Sequence, residues 1–211
     1  MKVVITGANG QLGRELARQC QAFDFEVHAF DHQQFDIADE NCIQQVLAQL
    51  CPAVVINAAA YTQVDRAEAE PDLAHAVNTD GPSYLAQYCA AHHLALIHIS
   101  TDYVFDGTKN QPYQENDPIA PLGIYGRSKA QGEAAIRSLL PNHIIVRTSW
   151  LYGVYGHNFV KTILRLAAEK KTLKVVADQF GSPTSAADLA ETILIITRQI
   201  ASPDKHLWGT Y

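Results

Sequence analysis

The chain has 211 residues, 47% of them hydrophobic and 18% charged, a composition that excludes a disordered or fibrous protein. Sixteen basic residues against 22 acidic ones give a formal charge of −6, which argues against a nucleic-acid partner. No apolar run approaches the roughly 20 residues of a membrane span, and the strand-like start Met1-Lys2-Val3-Val4-Ile5 leaves no room for a signal peptide, so a cytoplasmic protein with no membrane partner is expected.

Short β-branched runs alternate with helical stretches along the whole chain. Val3–Ile5 reads as a strand and about Gln11–Cys20 as a helix. Glu26–Phe30 is the second strand, followed by a helix over about Ala38–Leu50. Val54–Asn57 is a continuous apolar run suited to a strand buried on both faces. A long helix is expected from about Pro71 to His92, then a strand over Leu96–Ser100. A loop punctuated by Pro and Gly runs from Asp106 to Leu122. Tyr125–Leu139 is helical, Ile144–Thr148 is the fifth strand, and Asn158–Lys170 is helical. Thr172–Val176 is expected as a strand, Ala186–Ile200 as a helix, and His206–Tyr211 as the start of another strand. The alternation predicts an α/β fold, a doubly wound, Rossmann-like parallel sheet. Residues 1–148 form the dinucleotide-binding domain, and 149–211 supply the last elements and the start of a substrate lobe. Ligands of such sheets bind at the carboxyl ends of the strands, which points to the loops after residues 5, 30, 57, 100, 148 and 176.

The first of these loops is Thr6-Gly7-Ala8-Asn9-Gly10-Gln11-Leu12-Gly13. Gly7 permits a tight turn, Gly10 lets backbone approach a pyrophosphate, and Gly13 lets the helix pack close to the sheet. The N–H groups of the helix start, at Gln11 and Leu12, are available to the phosphates. Asp31, at the end of the second strand, is placed to bind the adenosine ribose hydroxyls. Its carboxylate repels the 2′-phosphate of NADP(H) and favours NAD(H); Arg14 is the one nearby cation that would offset this, so both cofactors stay open. Asp36 and Ile37 offer a carboxylate and an apolar contact to the adenine. Ala58, Ala59 and Ala60 let backbone come near the cofactor, with plain close packing as the competing reading.

The fourth strand ends in Ser100-Thr101-Asp102, and Tyr125 and Lys129 stand at i and i+4, on one face of a helix. A free tyrosine titrates near ~10, too high for proton exchange at neutral pH. An ammonium ~4 Å away, at an effective dielectric of ~20, favours the phenolate by about 4 kcal/mol, worth about three pH units. Such a tyrosine donates a proton to a carbonyl oxygen while hydride arrives from a nicotinamide. A Thr101 hydroxyl would hold the same oxygen.

The four cysteines, Cys20, Cys42, Cys51 and Cys89, make no CxxC pair and read as reduced thiols. The nine histidines are scattered, and no metal site is expected.

These segments, with Val55–Thr62, Val64–Glu68, Ser100–Gly107, Tyr125–Lys129, Arg147–Gly153 and Asp178–Thr184, resemble the extended short-chain dehydrogenase/reductase superfamily. Within it they are similar to the dTDP-4-dehydrorhamnose reductase family, over essentially the whole chain. The resemblance implies reduction of the 4-keto group of dTDP-4-dehydro-L-rhamnose by NAD(P)H. It implies Tyr125 as general acid, Lys129 lowering its pKa and holding the nicotinamide ribose, and Thr101 on the keto oxygen. Asp102 and Tyr103 would lie by the sugar, and Trp150 would wall its pocket, with core packing as the alternative for Trp150. Asn78 matches an asparagine behind the active site, or is a plain helical polar residue. Some relatives hold Mg2+ through glutamates; Glu15 matches one, but Ala187 stands near the expected partner, so Mg2+ is not expected. A dTDP-sugar is the expected substrate, and a homodimer is compatible with the family. The alternatives are another nucleotide-sugar reductase or epimerase, and a non-catalytic regulatory subunit like the β subunit of methionine adenosyltransferase. Relatives continue past Tyr211, so the substrate lobe is expected to be incomplete, and dinucleotide binding better retained than sugar turnover.

Overall fold

The computed structural model describes residues 1–200 and 208–211. Six strands form one parallel sheet: β1 (Lys2–Thr6), β2 (Glu26–Phe30), β3 (Val54–Asn57), β4 (Ala95–Thr101), β5 (His143–Thr148) and β8 (Gly209–Thr210). Their order is β2-β1-β3-β4-β5-β8, and all pairs are parallel. The order reverses at β1, so a crevice opens between the carboxyl ends of β1 and β3.

Period-two alternation sends successive side chains to opposite faces, and both faces are covered. Val3, Ile5, Val54, Ile56 and Ile97 pack under α1 (Gln11–Gln19) and α8 (Ala186–Ile200) through Leu12, Leu16, Ile193 and Leu194. Val4, Val55, Leu96 and Ile145 pack on the other face under α2 (Glu40–Leu50), α5 (Gly81–Ala91) and α6 (Ile124–Leu139). Helix α2 begins two residues later than its apolar pattern suggests, because Asp39 caps it by accepting from the N–H groups of Asn41 and Cys42.

The long helix expected over Pro71–His92 is continuous but not uniform. Between α4 (Pro71–His75) and α5 it widens into a π turn over Ala76–Asp80. That turn carries Asn78, buried against α6. A short helix, α3 (Val64–Ala67), precedes it.

The strand expected at Thr172–Val176 does not form. Those residues follow α7 (Phe159–Glu169) as irregular chain, with Val175 and Val176 exposed. The open edge beside β5 is taken by β8, through Tyr211 N–H to Ile145 O and Arg147 N–H to Tyr211 O, both 2.8 Å. Without a neighbour to pair with, β-branched composition alone does not make a strand. Of the strand start expected over His206–Tyr211, His206 and Leu207 lie outside the described residues. A two-stranded parallel ribbon, β6 (Leu151–Tyr152) with β7 (Thr184–Ser185), was not anticipated by the pattern. Helix α7 buries none of its residues. No helix among the described residues is long and apolar enough to cross a membrane.

Helix α6 lies close to the π turn because position 132 has no side chain: a Cβ there would stand 2.2 Å from Asn78 O. Gly132→Ala should therefore force the two apart and lower the unfolding free energy by about 1–3 kcal/mol, measured by urea denaturation.

Candidate active site

The glycine loop and the end of β3 meet at backbone level. A Cβ on Gly7, whose φ is +70°, would lie 2.6 Å from Ala58 O and from Ala59 N. One on Gly13 would lie 2.1 Å from Gly7 O, which is why α1 seats directly against the loop. Gly10 precedes α1 and provides no side-chain cap, leaving the first N–H groups of a nine-residue helix, at Gln11 and Leu12, to a ligand. The Gln11 side chain accepts from Asn158 Nδ2 at 2.9 Å, tying the loop after β6 to the helix start. The crevice thus fits a dinucleotide pyrophosphate.

The Asp31 carboxylate is already engaged. Its Oδ1 accepts from the N–H groups of Gln33 and Gln34, and its Oδ2 from Asn9 Nδ2 at 2.8 Å. Arg14 Nε donates to Asn9 O at 3.2 Å, so a cation stands beside the Asn9–Asp31 pair. Asp36 accepts from the Ala38 N–H, while the Ile37 side chain is buried in the core beneath Gly81. Ala58 and Ala59 pack on opposite faces of the sheet. Ala60 follows them in the loop.

At the end of β4 the structure brings Thr101, Asp102, Tyr103 and Tyr125 together. Thr101 Oγ1 donates to Asp102 Oδ1 at 3.1 Å and accepts from the Tyr103 N–H. The Tyr103 and Tyr125 rings meet edge to face, with centroids 5.5 Å apart. Burial pushes the Tyr125 phenol up to about 12, and interaction with the Thr101 hydroxyl offsets part of that rise. Burial likewise raises the Asp102 carboxyl, against a hydrogen bond from Thr101. Thr101 is in register with Thr148 of β5, and Trp150 follows two residues on. Trp150 is 44% exposed, at φ +48°, with its indole stacked over Gly181 rather than in the core.

Lys129 departs from expectation. It shares the helix face with Tyr125, but its Nζ donates to Ile99 O at 2.6 Å and meets His98 Nε2 at 3.1 Å. Helical spacing fixes where the Cβ sits; the buried polar groups on β4 decide where the amine goes. Lys129 therefore does not lower Tyr125 in this arrangement. Burial instead lowers Lys129 itself to about 8, with the Glu133 carboxylate opposing the fall.

Several supporting residues carry no short motif. Asn78 Oδ1 accepts from the Tyr61 N–H, and its Nδ2 donates to Ser128 Oγ and Tyr61 O. It thus ties the loop after β3 to α6. Glu68 accepts from the Ile124 N–H and caps α6. Glu133, fully buried, accepts two hydrogen bonds from Arg147, at 2.7 and 2.9 Å, and one from Arg137. Burial pushes its carboxyl up, but these bonds, led by Arg147, outweigh it and hold it below the usual range. The usable signal was a polar residue inside a strand buried on both faces: Asn57 and His98 each had to find a partner. Glu15 is buried, with its carboxylate taken by Arg18 and Gln19. All four cysteines are free.

Fold and site together define an oxidoreductase of the short-chain dehydrogenase/reductase type. More particularly, the chain belongs to the family described as the RmlD substrate binding domain, which matches residues 1–211. It is 46% identical to a dTDP-4-dehydrorhamnose reductase from Aggregatibacter actinomycetemcomitans, over all of this chain and 72% of that protein. A solved dTDP-4-dehydrorhamnose reductase from Clostridium acetobutylicum superposes with a TM-score of 0.94 at 43% identity, over 100% of this chain and 73% of that one. The enzyme of the same name from Bacillus anthracis, solved in complex with NADP, gives 0.93 at 44% identity over the same shares.

The lowered Lys129 sets a stability trend. The unfolded chain holds this proton up to its ordinary value of 10.5, the folded one only to about 8. Between about 8 and 10.5 the unfolded chain binds the extra proton, so the penalty on folding is fully present below about 8 and stability should rise with pH across that window, by up to about 3 kcal/mol. Lys129→Met should flatten this rise in denaturation curves taken across that range.

Proposed function

We propose that the protein reduces the 4-keto group of dTDP-4-dehydro-L-rhamnose to give dTDP-L-rhamnose, using NAD(P)H, with Tyr125 as general acid. The observation that carries this reading is the buried Tyr125 phenol beside Thr101 and Asp102, at the carboxyl end of β4. Gly7, Gly10 and the N–H groups of Gln11, Leu12 and Gly13 hold the pyrophosphate. Asp31 and Arg14 face the adenosine ribose, and Asp36 borders the adenine, with the Ile37 side chain turned into the core behind it rather than against the base. Ala58, Ala59 and Ala60 line the approach. A bound nicotinamide supplies hydride to the keto carbon.

The rest of the chemistry belongs to the protein. Tyr125 gives its phenolic proton to the keto oxygen as negative charge develops there. The Thr101 hydroxyl donates a hydrogen bond to the same oxygen. Charged Lys129 offsets the phenolate left behind and holds the nicotinamide ribose. Asp102, Tyr103 and Trp150 border the sugar. The same fold without turnover would suit a dinucleotide-binding regulatory subunit.

NADPH and NADH oxidation with dTDP-4-dehydro-L-rhamnose tests the reading. Oxidation above background is expected; none from folded, dinucleotide-binding protein would overturn the enzyme reading. Tyr125→Phe should cut turnover by about 10²–10⁴-fold and leave dinucleotide affinity nearly unchanged. Arg14→Ala should weaken NADPH by about 10–100-fold and NADH far less, by calorimetry, since only the former carries a 2′-phosphate for that cation.

A further inference from the structure

Lys129 is held by a line of buried polar groups to which the reduction assigns no part. Thr6 Oγ1 donates to Asn57 Oδ1 at 2.7 Å, and the Ala59 N–H donates to the same oxygen at 3.2 Å. Two donors on one atom fix the orientation of the amide, so that Asn57 Nδ2 faces His98 Nδ1 at 3.0 Å. An amide nitrogen only donates, so His98 Nδ1 accepts. A neutral imidazole with a bare Nδ1 carries its proton on Nε2. That N–H is directed at Lys129 Nζ, 3.1 Å away.

An ammonium has three hydrogens and no lone pair, and would meet the His98 N–H donor to donor. A neutral amine accepts it, and still donates to Ile99 O at 2.6 Å. An imidazolium gives no escape, since its Nδ1–H would meet the Asn57 amide hydrogens. Thr6, Asn57, His98 and Lys129 are each at most 1% exposed, so bulk water does not resolve the conflict.

We propose that His98 is a positioning residue that weakens the hold of Lys129 on its proton: its Nε2–H tautomer, fixed by Asn57, favours the neutral amine in the dinucleotide-free protein. Electrostatics act in the same direction. Burial, then Lys129, drives His98 well below its ordinary value, so the ring stays neutral. Burial brings Lys129 down toward the physiological range. The titratable groups facing Lys129 are His98 from β4 and Glu133 one turn on along α6. Glu133 is itself neutralised by Arg147 from β5 and by Arg137. Tyr125, one turn back, faces Thr101 and Asp102. The consequence rests on the proposed reaction, though the charge state does not. To serve Tyr125 as a cation, Lys129 must leave the His98 N–H and take one proton from solvent.

The test is a pH titration of dinucleotide-free protein carrying 13Cε-labelled lysine, with Lys129 assigned by Lys129→Arg and the His98 tautomer read from 15N shifts. Lys129 should titrate at or below about pH 8 while surface lysines stay near ~10.4, and His98 should show a bare Nδ1. His98→Gln, which can turn an amide oxygen toward the amine, should raise the Lys129 midpoint by about one pH unit or more. A wild-type midpoint above about 9.5, or a protonated Nδ1, would overturn the proposal whether or not the variant folds. So would an unmoved midpoint in folded His98→Gln. None of these readouts needs turnover. A low midpoint without sugar reduction leaves this inference standing and removes the proposed reaction. Reduction with an ordinary midpoint does the reverse.

Discussion

Helix α6 approaches its neighbours more closely than side chains would permit at two points. At Gly126 a Cβ would lie 2.2 Å from Tyr103 O, and at Gly132 the same distance from Asn78 O. Between them Ser128 bonds to Asn78 and its carbonyl accepts from Thr79 Oγ1. One turn further on, Glu133 locks the helix to β5 through Arg147, which also donates to Glu115 O in the long loop. This tight seat holds Tyr125 over the end of β4 and keeps Lys129 dry. A looser contact would admit water, and with it an ordinary lysine and an ordinary tyrosine.

Burial is the dominant electrostatic force at this site. It raises Tyr125 and Asp102 and lowers Lys129 and His98, each toward its neutral form. Only Glu133 resists, because it has charged partners at hydrogen-bonding distance on two sides. Burial thus biases these reactive groups toward their uncharged forms, while the buried Glu133 carboxylate is fully paired. The proposed general acid needs a positive neighbour as it gives up its proton, and Lys129 is one helical turn away from supplying it.

Much of this could be read from residue order. The alternation of apolar runs gave the parallel sheet because a strand covered on both faces has to be apolar throughout. The glycine loop was legible because three positions needed the absence of a Cβ, and a short loop lists them in order. Thr101, Asp102 and Tyr125 were legible because a strand end and a helix start are local features. The π turn was not, since a single wide turn leaves the apolar period nearly unchanged. Nor was the Glu68 cap of α6, which lies 56 residues from the N–H it accepts.

Sequence by itself determined which residues could form strands and helices, and which side chains share a helix face, because backbone geometry over a few residues settles both. Tertiary structure alone decided which segment completed the sheet. Thr172–Val176 and Gly209–Thr210 both stood as strands on paper, and one edge beside β5 admits only one of them. It also decided where Lys129 points. Spacing put it beneath Tyr125, but a flexible side chain sealed from water turns to the nearest polar partners. Here those are His98 and the Ile99 carbonyl, thirty residues away on a strand that only folding brings within reach.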